Sequence, residues 1–327
     1  MPRKEISIII PNWNGKSLLK RNLPFLLDAL SSYQGTTEVI IVDDGSIDGS
    51  SEFIASSFPN VKVLSSSKNE GFATACNRGV QSSKNEIVYL LNNDIVVSSN
   101  FLEPLWPYFE YDDVFAVSSV ARPPNANVSS SSLVPTVPVH VQFKYGIFWY
   151  KYKAIIDAQE PISVFFSTGG HSAFDKKKFL ALGGFDTLFN PFYWEDIDIS
   201  YRAWKRGWRS LYEPKSWVIH NNQATIGMSF KKDFIQNIHW RNRFLFTWKN
   251  LDDIILWCQH LFLLPFELAL LPIFGYAHFS RGFFMALKKL PDVLKSRRKL
   301  GESALTDKEI LDHFKNGSKL PRSFAAR

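Results

Sequence analysis

The sequence predicts an α/β protein with a mostly parallel, Rossmann-like sheet and a C-terminal helical appendage. Three observations carry that expectation. Short apolar runs alternate with stretches of helical length over the first 118 residues, two of those runs end in acid, and the chain beyond residue 250 turns apolar and then basic.

Ile6–Ile10, Glu38–Val42, Val61–Leu64, Glu86–Leu91 and Val114–Ser119 read as strands, because runs of four to six residues rich in β-branched side chains suit a sheet buried on both faces. Lys16–Leu30, Gly49–Ser57, Gly71–Gln81 and Asn100–Tyr111 read as the helices between them, and this alternation predicts right-handed βαβ units. Residues 120–160 break the pattern. Arg122-Pro123-Pro124-Asn125, Ser129–Ser132, Pro135 and Pro138 predict an irregular loop. Order resumes at Val164–Phe174, with a helix to Leu182 and the turn Gly183-Gly184-Phe185-Asp186. A helix over Glu195–Arg206 stops at Gly207, and a strand near Trp217–His220 follows. The division expected is a catalytic unit over 1–250, with a nucleotide-binding half (1–119) and an acceptor half (160–250), then an appendage over 251–327.

Composition narrows the classes. A 45% hydrophobic and 21% charged chain of 327 residues is an ordinary folded protein. Two cysteines, Cys76 and Cys258, make no disulfide framework and point to a reducing compartment. The apolar run Ile6–Pro11 is too short for a signal peptide. Seven basic residues between Arg281 and Lys299, against one acid, Asp292, carry +6 of the net +7. A basic tail beside a near-neutral body argues against a nucleic-acid reader and suits an anionic membrane surface.

The acid-ended runs carry the chemistry. Val39–Val42 leads into Asp43-Asp44-Gly45-Ser46, and Ile87–Leu91 into Asn92-Asn93-Asp94. Ligands of open α/β sheets sit at the carboxyl ends of strands, so one acid pair suits a nucleoside and the other a divalent cation. Asp-Gly-Ser also makes turns and caps helices, the plainer explanation. The first strand ends in Pro11-Asn12-Trp13-Asn14-Gly15, which leaves room for a ligand at the backbone. Asn69-Glu70-Gly71-Phe72 and Ala75-Cys76-Asn77-Arg78-Gly79 form a glycine-flanked helix start whose N–H groups can face an anion.

These islands, in this order, resemble the inverting family 2 glycosyltransferases of the GT-A type, in particular the rhamnosyltransferase-like members, over roughly residues 5–250. The resemblance rests on Ser7–Gly15, Val42–Ser46, Asn69–Phe72, Leu90–Asp94, Gly183–Asp186, Trp194–Asp198 and His220. It implies that Pro11, Asn12, Asn14, Asp43, Asp44, Asn69, Gly71, Asn77, Arg78, Asn92 and Asn93 bind the nucleotide sugar, with Asp43 on the base. It implies Asp196 as the base and Glu195 as its neighbour in acceptor binding. The usual Asp-x-Asp motif is here Asn92-Asn93-Asp94, which keeps only the last carboxylate. Cys76 stands where such enzymes often carry Arg, a role that Arg78 is placed to take.

The chemistry of displacing a nucleoside diphosphate agrees. Charge on the departing phosphate calls for Mg²⁺ or Mn²⁺, with Asp94 as one ligand and His220 as a second for Mn²⁺. The acceptor hydroxyl needs a base. Glu195, Asp196 and Asp198 lie in the first turn of a helix, where the dipole alone would favour acid, but a cap needs only one carboxylate. Phe192, Tyr193 and Trp194 suit either a sugar ring or the core.

Ile254–Ser280 holds a single charge, Glu267, with Pro265 and Pro272. Its length permits a span, but the prolines favour an interfacial or re-entrant hairpin that keeps the basic tail and catalytic unit on one side, at the cytoplasmic face. A soluble helical subdomain is the alternative. The expected partners are a nucleoside diphosphate sugar, a glycan or lipid-linked acceptor of bacterial-type cell-surface polysaccharide assembly, and the membrane surface. Two rivals remain: a sugar nucleotidyltransferase, which would want a basic glycine-rich loop in place of Pro11–Gly15, and an inactive membrane-bound nucleotide-binding subunit.

Overall fold

The computed structural model describes residues 5–123, 136–154, 158–220 and 230–315. Its first part alternates β1 (Glu5–Asn12), α1 (Lys16–Ser31), β2 (Thr36–Asp43), α2 (Ser50–Ser57), β3 (Lys62–Ser65), α3 (Phe72–Ser82) and β4 (Ile87–Leu91), each within two residues of its expected bounds. Side chains alternate across a strand. Ile8 and Ile10 therefore pack with Leu19 and Leu23 of α1, while Ile9 packs on the opposite face with Cys76 and Val80 of α3. Both faces are buried, which is why these strands are apolar without interruption.

The remaining strands are β5 (Ile95–Val97), β6 (Val114–Arg122), β7 (Thr136–Lys144), β8 (Ile147–Ala154), β9 (Ile162–Ser163), β10 (His171–Asp175) and β11 (Arg209–His220). The main sheet runs β3-β2-β1-β4-β10-β6-β11-β5, with β9 on β11. β1, β2, β3 and β4 are mutually parallel, as are β6 and β11, whereas β10 is an antiparallel insert between β4 and β6. That insert brings the start of β10 to the edge where β4 ends.

Three expectations need correction. Asn100–Tyr111 is a 3-10 helix over Glu103–Glu110. Pro107 has no N–H to donate and crowds the preceding turn, which disfavours α-helical bonding. The loop expected over 120–160 contains a hairpin: β7 and β8 pair across Tyr145-Gly146, both at positive φ (53° and 69°), as a tight two-residue turn demands. Residues 124–135 and 155–157 lie outside the described residues. β11 starts at Arg209, well before Trp217, and register shifts between Glu213 and Trp217 interrupt its alternation.

The helices that follow are α4 (Lys176–Ala181), α5 (Glu195–Lys205), α6 (Lys232–Asn250), α7 (Ile254–Leu270), α8 (Ala277–Leu287), α9 (Leu290–Arg297) and α10 (Asp307–Lys315). Asp253 caps α7 by accepting from Ile255 and Leu256 N–H at 2.8 and 3.1 Å. α7 runs through Pro265 and ends before the turn at Pro272. An aromatic core joins the hairpin to these helices: Phe148, Phe165, Trp194, Tyr201, Phe244, Phe246, Phe279 and Phe314 form one buried cluster. Burying such a ring stabilises by about 1.5–3 kcal/mol, so the helices after residue 250 share the core of the catalytic unit. No described helix is long and apolar enough to cross a membrane.

Candidate active site

The parallel register sets Asn12 beside Asp43 and Ile9 beside Leu90, so β1, β2 and β4 end at one edge of the sheet. A cleft of about 960 Å³ opens there, within the usual range for a small-molecule site. Asn93 Nδ2 donates to Asn12 Oδ1 at 2.8 Å, and Asn22 Nδ2 donates to the Asn93 carbonyl at 2.8 Å. Asp44 accepts the backbone N–H groups of Glu70 (3.0 Å) and Gly71 (2.8 Å). Burial pushes its carboxyl up, and those N–H bonds offset only part of the effect. Gly71 is required on two counts: its φ is +96°, and a Cβ would come within 2.8 Å of the Asn190 side chain.

Asp94 lies in the turn between β4 and β5. Antiparallel pairing of β5 with β11 sets Ile95 opposite His220, which brings the Asp94 carboxylate 3.4 Å from His220 Nε2. The two are in ion-pair range but misaligned for a hydrogen bond, and Asp94 Oδ1 is buried without a hydrogen-bond partner among the described residues. Asp94 is only 8% exposed. An orphaned carboxylate oxygen beside an imidazole nitrogen fits a divalent cation. No group of three such side chains occurs among the described residues.

The carboxylates at the start of α5 divide. Asp198 is fully buried and held by Arg202 (2.7 Å), Lys249 (2.8 Å) and Asn250 Nδ2 (2.8 Å), so it ties α5 to α6. Glu195 and Asp196 line the cleft. Asp196 accepts from Ile197 N–H at 2.8 Å and Gly169 N–H at 3.3 Å. Burial pushes Asp196 up to about 6. Glu195 is pushed up by burial and then by the charge of Asp196. Both carboxyls of the pair are thereby raised, each chiefly by burial.

Tyr193 and Trp194, just before them, have φ of 70° and 78°, a left-handed conformation that bulky residues adopt only when the surroundings impose it. Asn242 of α6 imposes it: its buried Nδ2 lies 2.8, 3.0 and 2.7 Å from the carbonyls of Phe189, Phe192 and Tyr193. Arg241 holds the carbonyls of Phe189 and Asn190. Through these bonds α6 reaches the loop that carries the carboxylates.

Pro11, Asn12, Asp44, Asn69, Gly71, Asn92, Asn93, Asp94, Glu195, Asp196 and His220 all line this cleft. Asn14, Asp43, Asn77 and Arg78 are not among its lining residues. Asn14 Oδ1 accepts from Ile47 N–H, and the Asn14 backbone N–H donates to Ser46 Oγ, which joins the loops after β1 and β2. The Asp43 carboxylate is taken up by the hydroxyls of Ser46 and Ser51. Asn77 brackets Phe185, donating to its carbonyl and accepting its N–H at 2.8 and 2.9 Å. Arg78 turns back to Ser66 Oγ and the Ser65 carbonyl. The site also contains residues that the sequence did not single out: Tyr150, Tyr152, His171 and His239. His171 follows Gly169-Gly170, whose second glycine leaves space for Asn92 (a Cβ would come within 2.6 Å). Its Nδ1 lies 3.0 Å from the Ser119 carbonyl, and burial, then His220, lower it to about 4. Four carboxylates and three histidines line the cleft, and no Lys or Arg does among the described residues.

Known proteins resemble this chain in sequence and in fold. N-acetylglucosaminyl-diphospho-decaprenol L-rhamnosyltransferase of Mycobacterium tuberculosis is 25% identical over 235 residues, which cover 62% of this chain and 74% of the relative. Mouse polypeptide N-acetylgalactosaminyltransferase 10 is 27% identical over 238 residues, 65% of this chain and 37% of that one. Among solved structures, GalNAc-T7 with UDP, GalNAc and Mn²⁺ superposes with a TM-score of 0.56 at 20% identity, covering 74% of this chain and about half (47%) of that one. The mannosyltransferase PcManGT of Pyrobaculum calidifontis, solved with GDP-Man and Mn²⁺, gives 0.55 at 16%, covering 92% and 76%. These likenesses show a GT-A-like fold. The profile of Glycosyl transferase family 2 matches residues 7–183, and the chain belongs to that family of glycosyltransferases.

Proposed function

We propose that the protein transfers a sugar, with inversion, from a nucleoside diphosphate sugar to a hydroxyl of a glycan or lipid-linked acceptor, with Mg²⁺ or Mn²⁺ as cofactor. One observation carries this: a single cleft holds the Asp94–His220 pair and the Asp196 carboxylate but, among the described residues, no Lys or Arg to balance a diphosphate. Asp94 and His220 would hold the cation, which neutralises the charge that develops on the leaving diphosphate. Asn12, Asp44 and Asn93 position the nucleoside at the strand ends, and Asn69 and Gly71 border it. Asp196 takes the proton of the acceptor hydroxyl as its oxygen attacks the anomeric carbon from the face opposite the departing phosphate, so the configuration inverts in one step. Residues 1–119 serve the donor, and 160–250 carry Glu195 and Asp196 for the acceptor together with His220 for the cation.

The Mycobacterium relative is named for a lipid diphosphate acceptor and L-rhamnose, which supports a lipid-linked acceptor and a deoxysugar donor here. The appendage over 251–327 supports action at the cytoplasmic face of a membrane. Ile254, Ile255, Phe262, Ile273 and Phe274 are each 70–75% exposed, beside the basic stretch from Arg281 to Lys299. Incubating the purified protein with a panel of nucleotide sugars, with Mn²⁺ and with chelator, tests the reading. Metal-dependent release of nucleoside diphosphate from one donor is expected, and release from none, or release indifferent to chelator, sinks it.

A further inference from the structure

Part of the cleft wall is aromatic. Tyr150 of β8 lies 5.3 Å from Phe166 and 5.8 Å from both Trp194 and Tyr152, and all four rings line the cleft. This wall adjoins the proposed base, because burial and then the charge of Asp196 push the Tyr150 phenol up to about 12. His239 of α6 completes it, its ring 5.7 Å from that of Trp194. Behind His239, Arg243 is buried against Trp149, Trp240 and Trp194 at 4.4, 4.7 and 5.4 Å and points Nη2 at His239 Nε2, 3.4 Å away. An arginine can only donate, so Nε2 is the acceptor nitrogen and Nδ1 carries the proton. Nδ1 has no partner among the described residues. The Trp194 indole N–H is buried and has none either.

We infer that this wall is a subsite for an uncharged sugar ring of the acceptor, with Tyr150 and Tyr152 as its platform, backed by the buried Phe166, and His239 as a hydrogen-bonding edge. The inference rests on the glycosyltransfer reading and adds the chemical class of the acceptor. The C–H face of a pyranose is apolar and slightly electropositive, which matches the negative face of an aromatic ring. Its hydroxyls accept from an imidazole N–H. An anionic sugar is disfavoured on electrostatic grounds. A uronate would enter a cleft whose lining includes Asp44 and Asp196 and, among the described residues, no Lys or Arg, while Arg243 is sealed under tryptophan. The internal segments 124–135, 155–157 and 221–229 contain neither Lys nor Arg, so they bring no compensating charge.

Saturation-transfer NMR on the full chain tests this, with methyl glycosides of neutral hexoses, 6-deoxyhexoses and N-acetylhexosamines, and with methyl uronides, at millimolar concentration. Ring protons of at least one neutral glycoside should be saturated, and the uronide of the same stereochemistry should not. Tyr152→Ala removes a ring that is 51% exposed, so the fold tolerates it; binding should weaken roughly three- to tenfold, as for loss of one aromatic face. His239→Phe, which keeps the ring and loses the N–H, should weaken it too, whereas Tyr150→Phe should retain most of it. Equal or stronger uronide binding, no saturation of any neutral glycoside, or unchanged binding in Tyr152→Ala overturns the inference. Binding of nucleoside diphosphate with Mn²⁺ is measured on the same samples. Its absence in the unmutated protein sinks the glycosyltransfer reading, while its presence without a sugar preference sinks the subsite alone.

Discussion

The two sides of the cleft are built by opposite means. On the strand-end side, polar groups are fixed by sheet register and by one another: Asn12 to Asn93, Asn22 to the Asn93 carbonyl, Asp44 to two backbone N–H groups. On the other side, rings from a hairpin and a late helix lean together, and the loop before Glu195 is forced left-handed by one buried amide. A register cannot shift without turning every side chain of a strand over, whereas an aromatic wall can be repacked piece by piece. The rigid side suits a nucleotide, which hardly varies between donors, and the repackable side suits an acceptor, which does.

The largest effect that would sharpen this contrast falls on the rigid side. Among the described residues no Lys or Arg lines the cleft, so a cation at Asp94 and His220 is expected to balance the diphosphate. Asp94→Ala, or chelator, should therefore abolish nucleoside diphosphate binding and lower transfer by roughly 10³-fold, the several kcal/mol that metal charge stabilisation supplies. Calorimetric titration of nucleoside diphosphate with and without Mn²⁺ checks it. Undiminished binding without metal would place the neutralising charge elsewhere and break the contrast.

Next is the base. Asp196→Asn should keep donor binding and lower turnover by roughly 10²–10⁴. A base must be ionised, and burial lifts Asp196 to about 6, so kcat/KM should fall as pH drops through about 6, and that limb should vanish in the variant. The stability effect has the opposite sense. A carboxyl raised above its unfolded value binds its proton more tightly when folded, and the associated stability is lost as pH rises through about 6. At neutral pH Asp196→Asn should thus melt no lower than the unmutated protein, and a lower Tm would show that Asp196 is structural.

The same contrast explains what the sequence disclosed. Strand ends were legible because each is a contiguous apolar run followed by polar residues, and β1, β2 and β4 deliver their ends to one edge by a general rule of parallel sheets. The rotation of α3 was not legible. Asn77 and Arg78 lie mid-helix in α3 rather than at its start, and which way they point depends on Phe185 and Ser66. The aromatic side was hidden for a different reason. Proline and serine around β7 outweighed the strand pattern of Ile147–Tyr152, and rings spaced along α6 look the same whether they face a core or a ligand. His171 had one local signal, the Gly169-Gly170 pair, but its proximity to His220 arises only from β10 running antiparallel beside β4.

A smaller effect should separate α6 from the chemistry it supports. Asn242→Ala leaves the Phe192 and Tyr193 carbonyls without their donor. Each buried group left unsatisfied costs about 1–3 kcal/mol, and Tyr193 and Trp194 lose the restraint on their φ. Thermal melting should show that loss, and turnover should fall more than nucleoside diphosphate binding does. If binding and turnover decline together, the clamp serves the whole fold and the two sides are less independent than their construction implies.

The smallest effect on the chemistry is expected at the exposed face of α7 and the turn that follows it. Phe279, Ala286, Val293 and Phe314 are buried in the aromatic core with α5 and α6, so removing everything after residue 250 would unfold the acceptor side and test nothing about membranes. Substitution on the open face isolates the question. Phe262 and Phe274 are 70% and 72% exposed, and surface changes of this kind shift stability by no more than about 0.5 kcal/mol. Phe262→Asp with Phe274→Asp should leave the Tm and donor hydrolysis unchanged yet lower co-sedimentation with vesicles of any charge, because apolar area drives insertion. Reversing Lys288 and Lys289 to Glu should act on anionic vesicles alone, at about 1 kcal/mol for each charge removed. Transfer to a lipid-linked acceptor should follow vesicle binding, while transfer to a soluble glycoside should not. Equal partitioning of all these variants would mean that the face meets something other than lipid, and that the acceptor reaches the aromatic wall from solution.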